Sequence, residues 1–177
     1  MFTRIVLVSA IFLTLVQFSS RGQSQDQSMS PLVTTGRVQL NLAGAELILT
    51  AAKQKAVAMS QKMNIAVVDD GGHLLAFARM DGARPASGYT AQTKAVTAAT
   101  YRAETGPVPK DQPDMFLSLS LQHAASASGG KLTTLKGGVP ILIQNQVIGA
   151  VGVGGGTGEQ DAEVAKAGIQ ALLDALE

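Results

Sequence analysis

Between Asp69 and Arg84 the chain gathers three carboxylates, two guanidinium groups and one imidazole: Asp69, Asp70, Asp81, Arg79, Arg84 and His73. These types suit three kinds of chemistry. A neutral imidazole ligates a metal through its unprotonated ring nitrogen. Adjacent carboxylates such as Asp69 and Asp70 can divide acid and base work, although carboxylates in turns commonly bond the local backbone instead. Arginine grips a carboxylate through a planar fork of donors. Lys94 is the lone cation of an alanine- and threonine-rich stretch. It suits a carboxylate or phosphate-like group, an acidic residue of the turn, or plain solvation.

Other chemistries find no support. There is no cysteine, which excludes disulfides, thiolate metal sites and a cysteine nucleophile. The second histidine, His123, has no acidic or histidine neighbour at metal-ligand spacing, so no zinc site is indicated. No G-x-S-x-G proposes a serine nucleophile. The glycine run Gly154-Gly155-Gly156-Thr157-Gly158 precedes a helical stretch, but Thr157 stands where a dinucleotide fingerprint needs glycine, and no G-K-[ST] follows. A tight connection is the better reading of that run.

The elements that must position these residues follow from apolar periodicity. Ile65–Val68 and Leu74–Ala78 are strand-like runs separated by Asp and Gly residues, which reads as a β-hairpin. Before it, Leu42, Ala45, Leu49, Ala52 and Ala56 recur at the helical period, with Leu47 and Ile48 widening the stripe, Asn41 as N-cap and an end near Ser60. After Pro85 a second helix is expected to about Ala103, with Ser87 as a cap and Ala91, Ala95, Ala98 and Arg102 on one face. Met115–Ser126 reads as a short apolar helix. Ile141–Ile143 and Val147–Val153 flank Gln144-Asn145-Gln146 as a second hairpin. Thr157 and Gln160 fit a capping box for a last helix, Glu159–Leu176. Two hairpins with helices before, between and after them predict an α+β domain.

The chain begins differently. Arg4 precedes an apolar block from Ile5 to Phe18, and small residues follow, including Ser19, Ser20, Gly22 and Ser24. That is the layout of a secretory signal peptide, and the block is short for a membrane span. Residues 1–24 are therefore expected to be leader and cleavage region, 25–39 a flexible mature N-terminus, and 40–177 a single domain. The protein is expected to be exported, to the periplasm or beyond, with no stable membrane span. Losing Arg4 and Arg21 takes the formal charge from +1 to −1, too near neutral for a nucleic-acid surface.

Four separated blocks carry a resemblance. A-V-V-D-D-G-G-H-L-L-A-F-A-R-M-D-G-A-R-P-A-S, K-A-V-T-A-A-T, G-G-V-P-I-L-I and V-I-G-A-V-G-V-G-G-G-T-G-E-Q-D-A-E-V-A-K-A-G-I closely resemble the GlcG/HbpS family. That family includes extracellular haem-binding proteins and the C-terminal domain of PduO-type cobalamin adenosyltransferases. The resemblance implies an antiparallel, five-stranded sheet flanked by helices in a profilin- or roadblock-like layout, assembled into homo-oligomers. It implies haem as cofactor, His73 as the axial ligand of the haem iron, and Asp69, Arg79, Asp81 and Lys94 around the same pocket, with Lys94 or Arg79 on the propionates. The final glycine run, G-V-G-G-G, departs from the family's more usual G-V-S-G. The expected function is capture or buffering of haem or another tetrapyrrole, without catalysis. Two alternatives stand beside it: an enzyme acting on a small acidic metabolite through Asp69 and Lys94, and an oligomeric accessory subunit.

Overall fold

The computed structural model describes residues 36–177. The expected leader and cleavage region, and most of the 25–39 segment, lie outside the described residues. Four strands form one antiparallel sheet: β1 (Asn64–Asp69), β2 (Leu74–Arg79), β3 (Gly138–Ile143) and β4 (Gln146–Gly154), in the order β2-β1-β4-β3. The α+β class is as expected, with four strands among the described residues where the resemblance implies five. Two hairpins lie side by side through their inner strands, so β2 and β3 are the edges of the sheet among the described residues.

The helices are α1 (Leu42–Ala58), α2 (Ala86–Tyr101), α3 (Met115–Ala124) and α4 (Gly158–Asp174), with a 3-10 turn at Ala125–Ser128 after α3. α1 and α4 pack together on one face of the sheet, and α2 covers the other. Strand alternation divides β1 between the two sides: Ile65 and Val67 join the α1/α4 core, while Ala66 and Val68 join the α2 core. No helix among the described residues is long and apolar enough to cross a membrane.

Small residues set how close the layers come. A Cβ on Gly152 of β4 would lie 2.1 Å from the Ala91 carbonyl, and one on Gly138 would lie 2.3 Å from the Lys94 carbonyl. The alanine face of α2, with Ala91, Ala95 and Ala98 fully buried, therefore rests directly on strand backbone. The same holds at Gly154, where a Cβ would stand 2.6 Å from Thr90 Oγ1.

Local signals agree with the elements they were read from, with small displacements. Asn41 caps α1 through the Gly44 N–H, and Thr157 and Gln160 form the capping box of α4. In α1 the buried face is Ala45, Ile48, Ala52 and Ala56. Leu42 points outward and Leu49 is half-buried, because Ile48 continues the 3.6-residue stripe better than its neighbour. Ser87 does not cap α2; it lies inside the first turn, where its hydroxyl accepts from Arg84 Nε. Gln144 and Asn145 alone make the second turn, both at positive φ (49° and 62°), the conformation a two-residue hairpin loop demands.

Candidate functional site

The first hairpin turn is built around the Asp69 carboxylate. Its Oδ1 accepts from the Gly71 N–H at 2.9 Å and the His73 N–H at 2.8 Å. Gly72 takes φ +83°, which glycine reaches without a steric penalty. A Cβ on Gly71 would lie 2.9 Å from the His73 ring, so the imidazole lies over a residue without a side chain. The ring's Nδ1 is 3.2 and 3.1 Å from the two Asp69 oxygens. Partial burial opposes ionisation of Asp69, yet the His73 backbone N–H, its ring and the Gly71 N–H outweigh it and hold the carboxyl below its ordinary value.

An ionised carboxylate at Nδ1 places the neutral ring's proton there and leaves the Nε2 lone pair outward. This is how outer-shell carboxylates orient metal-binding histidines. The His73 side chain is 82% exposed, so that lone pair is accessible. Gly71, under the ring, lines an open groove of about 500 Å³ with Val96, Thr100, Tyr101, Ser128, Lys131 and Leu132; His73 itself is not in its wall. Asp70, the second turn carboxylate, pairs with Arg37.

Lys94 lies elsewhere. Its Nζ donates to Asp161 Oδ2 at 2.6 Å and to the Val153 carbonyl at 2.8 Å, and both side chains of the pair are at most 5% exposed. Val153 pairs with Ile65, whereas Asp69, four residues further along β1, pairs with Gly149, a separation of about 13 Å along the strand. The acid that neutralises Lys94 is on α4, not on the turn. Asp161 Oδ1 also accepts from the Gly156 N–H, so one carboxylate ties α2, the glycine run and α4 together. A second cavity of about 500 Å³ opens over this pair, with Arg84, Thr134 and Lys136 in its wall.

Arg79 and Asp81 stand at the other end of β2 from His73, about 20 Å along six strand residues. Arg79 lines a cavity of about 420 Å³ with Asn64, Phe77 and Tyr89. Asp81 lines a broader one of about 910 Å³ with Lys53, Val57, Lys62 and Met80. Of the five residues read from the sequence, the structure joins only Asp69 with His73. Lys94, Arg79 and Asp81 each line a separate cavity. The single pocket expected from the resemblance is thus divided, because a six-residue strand separates the two polar ends of the hairpin.

Several residues of these sites escape sequence reading. Tyr101, Lys131 and Leu132 meet the His73 turn only through tertiary packing. Asp161 reads as a helix-dipole carboxylate, although the isolated position of Lys94 in an apolar helix signals that a buried acid must exist. Asn64 is legible as the one polar residue among the five buried positions of β1.

Fold and turn together define a small three-layer ligand-binding domain with a histidine presented at its surface. Residues 40–170 match the family of haem degrading protein HbpS-like domains, and the chain belongs to that family. It is 43% identical to protein GlcG of Escherichia coli K12 over 117 residues, 66% of this chain and 82% of that one. The Klebsiella pneumoniae protein ORFY superposes with a TM-score of 0.69 at 32% identity, covering 84% of this chain and all of that one. The PduOC:haem complex superposes with a TM-score of 0.63 at 27% identity, covering 76% of this chain and 95% of that one.

Proposed function

We propose that this chain is an exported haem-binding protein that captures or buffers the cofactor at the first hairpin turn. The observation that carries the reading is the exposed His73 imidazole, held by Asp69 at Nδ1 over Gly71, which itself lines an open groove. Bound there, haem would supply an iron for that nitrogen to ligate. Val96, Tyr101 and Leu132 offer apolar contact to a flat macrocycle, and Lys131 offers a cation to a propionate. The match to the HbpS-like family and the likeness to a haem complex support this choice of ligand.

Export rests on the N-terminal pattern of Arg4 and the Ile5–Phe18 block. A shortened N-terminus in protein recovered from outside the cytoplasm checks it. Self-association is supported by α3, which buries none of its residues and exposes Met115, Phe116, Leu117 and Leu119. Light scattering on the purified protein reads the copy number, and a monomer overturns this part of the reading.

A second placement has its own observation. A broader cavity, about 910 Å³, combines exposed Val57 with Lys53, Lys62 and the Met80 thioether. Hemin titration followed at the Soret band separates the two. Saturation near one haem per chain that His73→Ala weakens at least tenfold supports the hairpin turn. Saturation unchanged by His73→Ala but lost in Val57→Glu moves the haem to the broader cavity. An unsaturable rise, the same in all three proteins, removes haem from the account. Loss of the band with time after saturation would report turnover, in keeping with the family's description.

A further inference from the structure

A different cavity carries an unmet hydrogen bond. Asn64 stands opposite Arg79 across β1 and β2, and Ala66 stands opposite Phe77. Side chains of Asn64, Phe77 and Arg79 therefore share the α2 side of the sheet. The start of α2 closes over them with Pro85, Ala86, Gly88, Tyr89 and Gln92, leaving about 420 Å³ at the β2 edge.

Asn64 is wholly buried, and its Nδ2 donates to the Arg84 carbonyl at 3.0 Å. That bond determines the amide orientation, because reversing it would set two oxygens face to face. Oδ1 is then left without a partner. Orphaned buried acceptors are few in native proteins, and each calls for an explanation, of which a bound water or a ligand donor is one. A Cβ on Gly88 would lie 3.5 Å from this oxygen and 3.4 Å from Phe77 Cζ, so the amide oxygen, the tip of the ring and the bare Gly88 converge. Arg79 forms no ion pair among the described residues.

The missing partner must donate a hydrogen bond, and Arg79 calls for an anion in the same cavity. Directly opposed cross-strand residues have Cβ atoms about 5 Å apart, which sets donor and anion close together in the ligand. A bare carboxylate has no donor for Asn64, and a simple cation is repelled by Arg79. We propose that this cavity binds a short hydroxy acid: its carboxylate pairs with Arg79, its hydroxyl donates to Asn64 Oδ1, and its carbon chain lies against Phe77. The site is separate from the haem reading and does not depend on it.

Calorimetric titration of the full chain with lactate and with propionate, the same acid without the hydroxyl, tests the proposal. Saturable lactate binding at one site per chain, at least tenfold tighter than propionate, is expected. Arg79→Gln, an exposed substitution, should weaken lactate at least tenfold, and Asn64→Val should erase the preference for lactate over propionate. Should Asn64→Val not fold, the lactate–propionate pair still reads the Asn64 contact in the unaltered protein. Absent lactate saturation, equal affinity for the two acids, or an Arg79→Gln isotherm identical to the parent would each overturn it. Equal affinities would leave Asn64 as only the tether of the Arg84 carbonyl.

Discussion

Two of the pairs of basic side chain and carboxylate stand at opposite ends of the central strands. His73 and Asp69 meet at the open turn, and the imidazole stays in solvent. Lys94 and Asp161 meet beneath Gly137, where a Cβ would lie 2.6 Å from Asp161 and 3.1 Å from Lys94 Nζ. The exposed pair leaves a nitrogen lone pair available and stabilises little. The buried pair has both charges occupied, with the Val153 carbonyl and Gly156 N–H as further partners. Burial separates a pair suited to binding from a pair suited to fastening. A buried charge must be fully satisfied by protein, whereas an exposed one is free to meet a ligand.

Breaking the buried pair should have the largest effect. Asp161→Ala strands the Lys94 ammonium and should destabilise the fold by about 3–5 kcal/mol, read as a fall in urea midpoint. Lys94→Met with Asp161→Asn removes both charges, keeps an acceptor for Gly156, and should recover most of that loss. If the double variant is no better than Asp161→Ala, charge burial is not what the pair controls. Next comes the packing that shelters it. Gly152→Ala inserts a methyl 2.1 Å from the Ala91 carbonyl and should cost about 1–3 kcal/mol as α2 is pushed from the sheet. An unchanged midpoint would show that the small-residue contact is slack.

The turn pair should show the smallest effect on stability, and one confined to acid. The Asp69 carboxyl titrates lower in the folded chain than its ordinary value of 3.8. Its contribution is therefore present above the unfolded value and is lost as pH falls through the folded one. Urea midpoints measured from pH 6 down to pH 2.5 should fall less steeply in Asp69→Asn than in the parent below about pH 4. Parallel curves would mean that the turn hydrogen bonds do not favour the ionised acid.

Much of the fold is legible because its signals are local. Asn41 before α1, Thr157 with Gln160 before α4, and Gln144-Asn145 between β3 and β4 act through atoms within a few residues. The pairing of His73 with Asp69 is legible for the same reason, since four residues and two glycines bring them together. The buried acid facing Lys94 is not, because Asp161 is 67 residues away and carries the same signature as any carboxylate opening a helix. Nor is the division of Lys94, Arg79 and Asp81 among separate cavities, which depends on strand length and on the side of the sheet each one faces.

The residues by themselves thus determine the helices, the two hairpins, the α+β class and a histidine ordered by its own turn, because periodicity, capping and turn chemistry act over short stretches of chain. Only the tertiary structure decides which polar groups are spent on holding the layers together and which are left for a ligand. Lys94 is consumed by Asp161, while the His73 ring stays in solvent and Asn64 Oδ1 is buried without a protein partner. That outcome rests on how α2 settles on Gly138, Gly152 and Gly154, a contact between distant segments whose effect is to bury one charge and leave another in water.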